Sequence, residues 1–292
     1  MKHTRIAVIA AAAALILGAC GNAGEADKSP VDNKVDANAA SQFKAGTAMK
    51  AIATSGKVTI GVKFDQPGIG FKKAGADIPE GFDVEIGKIL AAKLGIKADK
   101  VKWVEAVSAN REPFLQKGTV DFVIASYSIT PERRKVVGQA GPYYVTGQQL
   151  LVKKGSPIKT VDDLKGKEVC SVTGSTSLDQ VAAKGAKPRG FATYSECRDQ
   201  VLDGSVDAMT TDGAILLGYA ADNPDELAVV GDTFSTENYG IGFNKDKPEL
   251  CQFITDTVKA AEDDGTWDTA FKATLGKSGV DTPTPPKMDA CA

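Results

Sequence analysis

The residues able to do binding chemistry fall in short segments spread along the chain. Lys63-Phe-Asp-Gln-Pro67 supplies an ammonium group, and Ser108-Ala-Asn-Arg111 a guanidinium group. Ser126-Tyr-Ser-Ile-Thr-Pro-Glu-Arg133 adds hydroxyls and a second guanidinium. Thr173-Gly-Ser-Thr-Ser177 is a hydroxyl-rich turn, and Asp212 is a lone carboxylate. An arginine can hold a carboxylate in a two-pronged fork. A Gly-Ser-Thr turn that opens a helix offers backbone N–H groups to an anion. An aspartate can accept from an ammonium group, so together the set suits a small zwitterion. Each residue also has a plainer reading. Arg133 could lie on a helix surface, Arg111 could simply start its helix, and Lys63 could be solvated at a strand end. Asp212 could cap a helix before Ala214-Ile-Leu-Leu217, and Asp65 could serve its own loop. Tyr143-Tyr144 reads as hinge packing. Gly68-x-Gly70 and Gly240-x-Gly242 complete neither a dinucleotide nor a P-loop pattern.

Other chemistry is excluded by counts. The chain has 292 residues, enough for two average domains. Its single histidine is His3. A body without histidine has no Ser-His-Asp triad, no Cys-His pair and no histidine metal site. With 35 basic and 37 acidic residues it lacks the basic excess of a nucleic-acid binder. No cofactor or metal is expected.

The first residues read as an export leader. Lys2 and Arg5 precede an apolar run from Ile6 to Ala19, too short to span a bilayer comfortably. Leu17-Gly18-Ala19-Cys20 resembles the bacterial lipoprotein box, which implies a signal peptide over 1–19 and lipidation of Cys20. Residues 20–44 carry few large apolar side chains and read as a flexible tether. The protein is therefore expected outside the cytoplasm, held to the cell membrane by lipid. Export favours disulfides among Cys170, Cys197, Cys251 and Cys291. Four cysteines allow three connectivities. Cys170–Cys197 and Cys251–Cys291 are preferred because each pair is nearest in sequence and falls within one lobe. A four-cysteine zinc site is the rival, without the short paired spacing such sites have.

The elements that must position the site alternate between strand and helix. Lys57–Val62, Val101–Val104 and Val120–Ala125 read as strands. Phe82, Ile86, Ile89, Leu90 and Leu94 mark one face of a helix that Gly95 ends. A short helix is expected over 111–117. The second half repeats the alternation: strands near 149–153, 168–172, 206–210, 225–230 and 240–243, helices near 178–184 and 198–202, and extended chain at 192–194. A last helix should begin at Asp246 as N-cap, with Pro248 in its first turn. Right-handed crossovers then imply mainly parallel sheets. Two α/β lobes follow, 45–145 with 246–292 and 146–245, with ligand between them at the strand ends.

Two segments carry a specific resemblance. Gly81-Phe-Asp-Val-Glu85 before a helix, and Val120-Asp-Phe-Val-Ile-Ala-Ser-Tyr-Ser-Ile-Thr-Pro-Glu-Arg-Arg134, resemble the family 3 solute-binding proteins. These are polar amino-acid receptors of ABC importers. Over about residues 55–275 the resemblance implies a hinged, two-lobed periplasmic-binding-protein fold. It implies that Arg133 binds the ligand α-carboxylate and Asp212 the α-ammonium. Ser126, Ser128 and the turn Gly174-Ser175-Thr176 would contact ligand, and Tyr194 would face the cleft. Members taking cationic amino acids carry an acid where Lys63 stands, whereas members taking glutamate or aspartate carry a base there and a Ser-x-x-Arg turn like Ser108–Arg111. The chain looks most like actinobacterial glutamate-binding lipoproteins. The resemblance implies a monomer that captures L-glutamate, or else aspartate or glutamine, and delivers it to permease subunits. The alternatives are a dehydratase-like enzyme on the same fold and a sensory ectodomain.

Overall fold

The computed structural model describes residues 29–31 and 33–291. The leader over 1–19 and Cys20 lie outside the described residues. Two five-stranded sheets define the two lobes. The first contains, in order, β4 (Val101–Glu105), β1 (Val58–Val62), β5 (Phe122–Val123), β12 (Glu237–Phe243) and β6 (Gly138–Thr146). The second contains β11 (Leu227–Val230), β7 (Gln148–Lys153), β10 (Ala208–Asp212), β8 (Glu168–Val172) and β9 (Lys187–Phe191). A small ribbon of β2 (Asp65–Gln66) and β3 (Gly70–Phe71) follows β1.

The sheets are mixed rather than mainly parallel. β4, β1 and β5 run parallel, as do β10, β8 and β9. β12 runs antiparallel to β5 and β6, and β7 antiparallel to β10 and β11. The reason is connectivity. β6 leaves the first sheet and continues almost directly into β7, while β12 returns alongside β6. Pairing of Glu237 with Thr146 and of Tyr239 with Tyr144 makes these two crossings a joined ribbon.

Helices α1 (Ala39–Gln42), α2 (Ala48–Ser55), α3 (Phe82–Lys93), α4 (Arg111–Gln116) and α5 (Pro131–Val136) belong to the first half. Helices α6 (Thr176–Ala183), α7 (Tyr194–Asp203) and α8 (Gly213–Asp222) flank the second sheet. Helices α9 (Glu249–Asp263) and α10 (Thr266–Ala273) return to the first lobe. There Phe82, Tyr144, Trp267 and Phe271 form an aromatic cluster with centroids 5.3–5.9 Å apart. The Trp267 indole N–H donates to the Tyr143 carbonyl, fixing the returning helix to β6.

Several local expectations change. Residues 29–43, expected within the tether, lie on the first lobe. Val31 and Ala39 are buried, the Asp36 N–H donates to Ala92 O, and Phe43 meets Phe253 edge-on at 5.8 Å. Small side chains fit closely against α3 and α9, so burial here needs few large apolar residues. Asp246 does not cap α9. Pro248 occupies that position, and the Asp246 N–H instead donates to Asn244 Oδ1. The segment 192–194 is not extended throughout: Thr193 caps α7, which begins at Tyr194. Both expected disulfides are present, Cys170–Cys197 in the second lobe and Cys251–Cys291 on the first, so none of these thiols is free for zinc.

Candidate functional site

The cleft is built from strand ends, where both lobes present backbone groups and short side chains. Its small cavity is walled by Ser108, Arg111, Ser126, Ser128 and Arg133 from the first lobe. Ser175, Thr176, Ser177, Tyr194 and Asp212 close it from the second. A wider groove between Pro67, Gly68, Gly218 and Ala221 lies elsewhere on the seam and contains none of these groups.

Arg133 sits on α5, whose start is fixed by Thr130. The Thr130 hydroxyl accepts the Arg133 N–H, and Pro131 occupies the first turn. The guanidinium then reaches inward. Its Nη1 donates to Ser128 O at 2.7 Å, its Nη2 to Gly174 O at 3.0 Å, and its Nε pairs with Glu112 at 3.2 Å. It is therefore not a free surface arginine.

Arg111 is 2% exposed. Its Nε donates to Ser108 O, its Nη1 to Ala125 O and Ser126 O, and its Nη2 to Gly174 O at 3.1 Å. The Tyr127 ring lies beside both guanidinium groups, 4.5 Å from Arg111 and 5.0 Å from Arg133. Two cations thus converge on one neutral carbonyl, Gly174 O, at the seam. Burial, and then the neighbouring Arg133, lower the Arg111 pKa to about 10.

Gly174 permits this convergence. Its φ is +82°, and a Cβ there would lie 3.0 Å from Ala109 N and Cα across the seam. Ser175 caps α6 by accepting the Leu178 N–H. The Thr176 hydroxyl donates to Glu237 at 3.0 Å.

Lys63 is buried but stands behind the wall rather than on it. Its Nζ donates to Ser108 Oγ at 2.8 Å. Burial is the main cause that lowers its pKa to about 7, with Arg111 adding to the effect. Among the described residues, neither Lys63 nor Arg111 forms an ion pair.

Asp212 stands at the N-cap position of α8 but makes no capping bond. Its Oδ2 accepts the Tyr239 hydroxyl at 2.6 Å, and its Oδ1 has no hydrogen-bond partner among the described residues. Burial, then the carboxylate of Glu237, raise its pKa to about 7. A donor cation placed at Oδ1 would restore its charge.

Three contributors carry no role in the sequence reading. Asp83, in the Gly-Phe-Asp segment, accepts the Ser126 N–H at 2.7 Å and the Tyr143 hydroxyl. That bond holds Ser126 at φ 44°, in the left-handed region. Ser108 links Lys63 to the cavity. Glu237 accepts from Gln148, Ser235 and Thr176, and so ties the crossing strand to the start of α6. The first signal was the motif itself, the second its Ser-x-x-Arg turn. Nothing local marked Glu237.

Residues 58–277 match the bacterial extracellular solute-binding proteins, family 3. The chain belongs to that family. This solute-binding protein is 38% identical over 245 residues to a glutamate-binding protein, GluB, of Corynebacterium efficiens, covering 80% of this chain and 83% of the relative. It is 36% identical over 274 residues to the ABC transporter glutamine-binding protein GlnH of Bacillus subtilis, covering 93% and 96%. Among solved structures, an ancestral arginine-binding protein bound to glutamine superposes with a TM-score of 0.71 at 38% identity, covering 76% and 98%.

Proposed function

We propose that this solute-binding protein is the receptor of an ABC importer for an acidic amino acid, L-glutamate first and L-aspartate second. The observation that carries the reading is the excess of buried cations at one end of the cleft. Among the described residues Lys63 and Arg111, each 2% exposed, have no ion pair, and Arg133 has only Glu112. Opposite them stands Asp212 Oδ1, without a hydrogen-bond partner among the described residues. An α-amino acid offers its carboxylate to Arg133 and its ammonium to Asp212. A second carboxylate gives Arg111, with Lys63 behind it through Ser108, an anionic partner. A neutral ligand leaves these desolvated cations uncompensated, which is costly.

The similarity to a glutamine-binding relative makes a glutamine receptor the second reading. Glutamine, however, offers one uncharged acceptor oxygen where glutamate offers two charged ones, and its amide N–H2 would face the remaining donor. An enzyme of dehydratase type would have to use carboxylates or lysines as bases, since the only histidine is His3. Attachment through Cys20, a monomeric state and delivery to permease subunits complete the proposal. Calorimetric titration against the twenty amino acids, on protein stripped of carried-over ligand, tests it. Glutamate should bind most tightly. Tighter binding of glutamine or arginine would refute the specificity and leave an amino-acid receptor. A turnover assay run beside it separates receptor from enzyme.

A further inference from the structure

Asp65, one residue into the β2–β3 ribbon of the first lobe, sends its carboxylate across to the second. Its Oδ2 accepts the N–H groups of Tyr194 at 2.8 Å and Ser195 at 3.2 Å, the first two residues of α7. The helix's own cap leaves these two amides open. Thr193 Oγ1 accepts the Glu196 N–H, while the Glu196 carboxylate accepts from Ala192 and Thr193. The first helical amides need outside acceptors, and a carboxylate is favoured there. Here the acceptor comes from the opposite lobe, 129 residues away in sequence.

A second contact stands beside the first. The Tyr219 hydroxyl of α8 donates to the Asp65 backbone carbonyl at 2.5 Å and lies 3.3 Å from its Oδ2. The neighbouring Gly218 brings the α8 backbone against Pro67, so that a Cβ at 218 would lie 2.5 Å from the Pro67 carbonyl oxygen. Both features join the lobes directly, and neither Asp65, Gly218 nor Tyr219 lines the cavity.

We propose that Asp65 is a positioning residue that latches the two lobes together, with Tyr219 and the close approach at Gly218 as the other half of the latch. These contacts exist only when the lobes are closed. In an opened form the carboxylate and the α7 amides would be hydrated instead. The latch therefore stabilises the binding-competent state and sets how tightly any ligand is held, because apparent affinity scales with the fraction of that state. None of its members lines the cavity, so the latch acts on the ligand through closure. The inference rests on the amino-acid receptor reading for its ligand and on the inter-lobe geometry for the latch itself.

The test compares wild type with Asp65→Ala, Tyr219→Phe and Gly218→Ala by calorimetry with L-glutamate and L-glutamine. Each variant should raise both dissociation constants, by about tenfold or more for Asp65→Ala, and Tyr219→Phe and Gly218→Ala, which remove no charge near Lys63, should leave the ratio between the two amino acids unchanged. Dissociation should become faster. Alanine is the better helix former. A Gly218→Ala protein that melts no lower than wild type yet binds more weakly therefore separates closure from folding. Unchanged affinities in all three variants would overturn the latch. So would a changed glutamate-to-glutamine ratio in Tyr219→Phe or Gly218→Ala, which would mean an effect on the ligand's side chain rather than on closure. If wild type bound neither amino acid, the receptor reading would fall. Small-angle scattering would then decide the latch alone: expansion of Asp65→Ala relative to wild type would support it, and equal radii would remove it.

Discussion

The affinity for glutamate should pass through a maximum near pH 7, and the two sides of that maximum have separate causes. The perturbation is a pH scan from 5 to 8.5 on wild type and Lys63→Met. Asp212 has its pKa raised to about 7, mainly by burial, and an ammonium ligand favours its charged form. Ligand binding therefore releases a proton from Asp212 at low pH, and affinity rises as pH climbs toward 7. Lys63 has its pKa lowered to about 7, again mainly by burial, and an anionic ligand favours its charged form. Ligand binding therefore takes up a proton at high pH, and affinity falls as pH climbs above 7. Each limb should approach a tenfold loss per pH unit, since one pK unit is worth about 1.4 kcal/mol. Calorimetry in buffers of different ionisation enthalpy reads both the affinity and the proton count. Lys63→Met should bind glutamate more weakly at pH 7, lose the alkaline limb and keep the acid one. A flat profile in wild type, or an alkaline limb that survives in Lys63→Met, would refute the reasoning.

Arg133→Ala should weaken every amino acid by roughly one to two orders of magnitude, the worth of a charge-assisted carboxylate contact, as read by titration. Arg111→Ala should narrow the margin of glutamate over glutamine. It should also lower the melting temperature, because the buried carbonyls of Ser108, Ala125 and Ser126 lose their donor. Replacing Cys170 and Cys197 together by alanine should cost about 3 kcal/mol in urea unfolding, from the loop they close. Cys20→Ala should release the protein from the membrane fraction, which intact-mass analysis and fractionation would show.

The cleft was legible where the chemistry is local to one segment. Arg133 lies on α5 and Asp212 ends β10, each in a segment with a distinctive pattern, and the fold brings those segments together. Lys63 was legible as a cation near the first strand end, but not its seat behind Ser108, which depends on how the Ser-x-x-Arg turn packs. Gly81-Phe-Asp83 was legible as a motif, although the work of Asp83 depends on reaching Ser126, 43 residues on. Asp65 and Glu237 were not legible at all as working residues, because their partners come from distant segments and from the crossing strands. The same limit explains residues 29–43. Their composition suits a tether, and only the shape of α3 and α9 gives Val31, Ala39 and Phe43 somewhere to be buried. The direction of β12 and β7 was missed because alternation of strands and helices suggests crossovers, whereas the two inter-lobe passages are direct.

The most direct test of the central claim is a crystal structure of the protein grown with L-glutamate. The α-carboxylate should sit on the Arg133 guanidinium, the ammonium group on Asp212 Oδ1, and the side-chain carboxylate against Arg111 and Ser108, with the Asp65–Tyr194 contact intact. A glutamate bound with its side chain turned away from Arg111, or bound outside the cleft between Arg133 and Asp212, would contradict it.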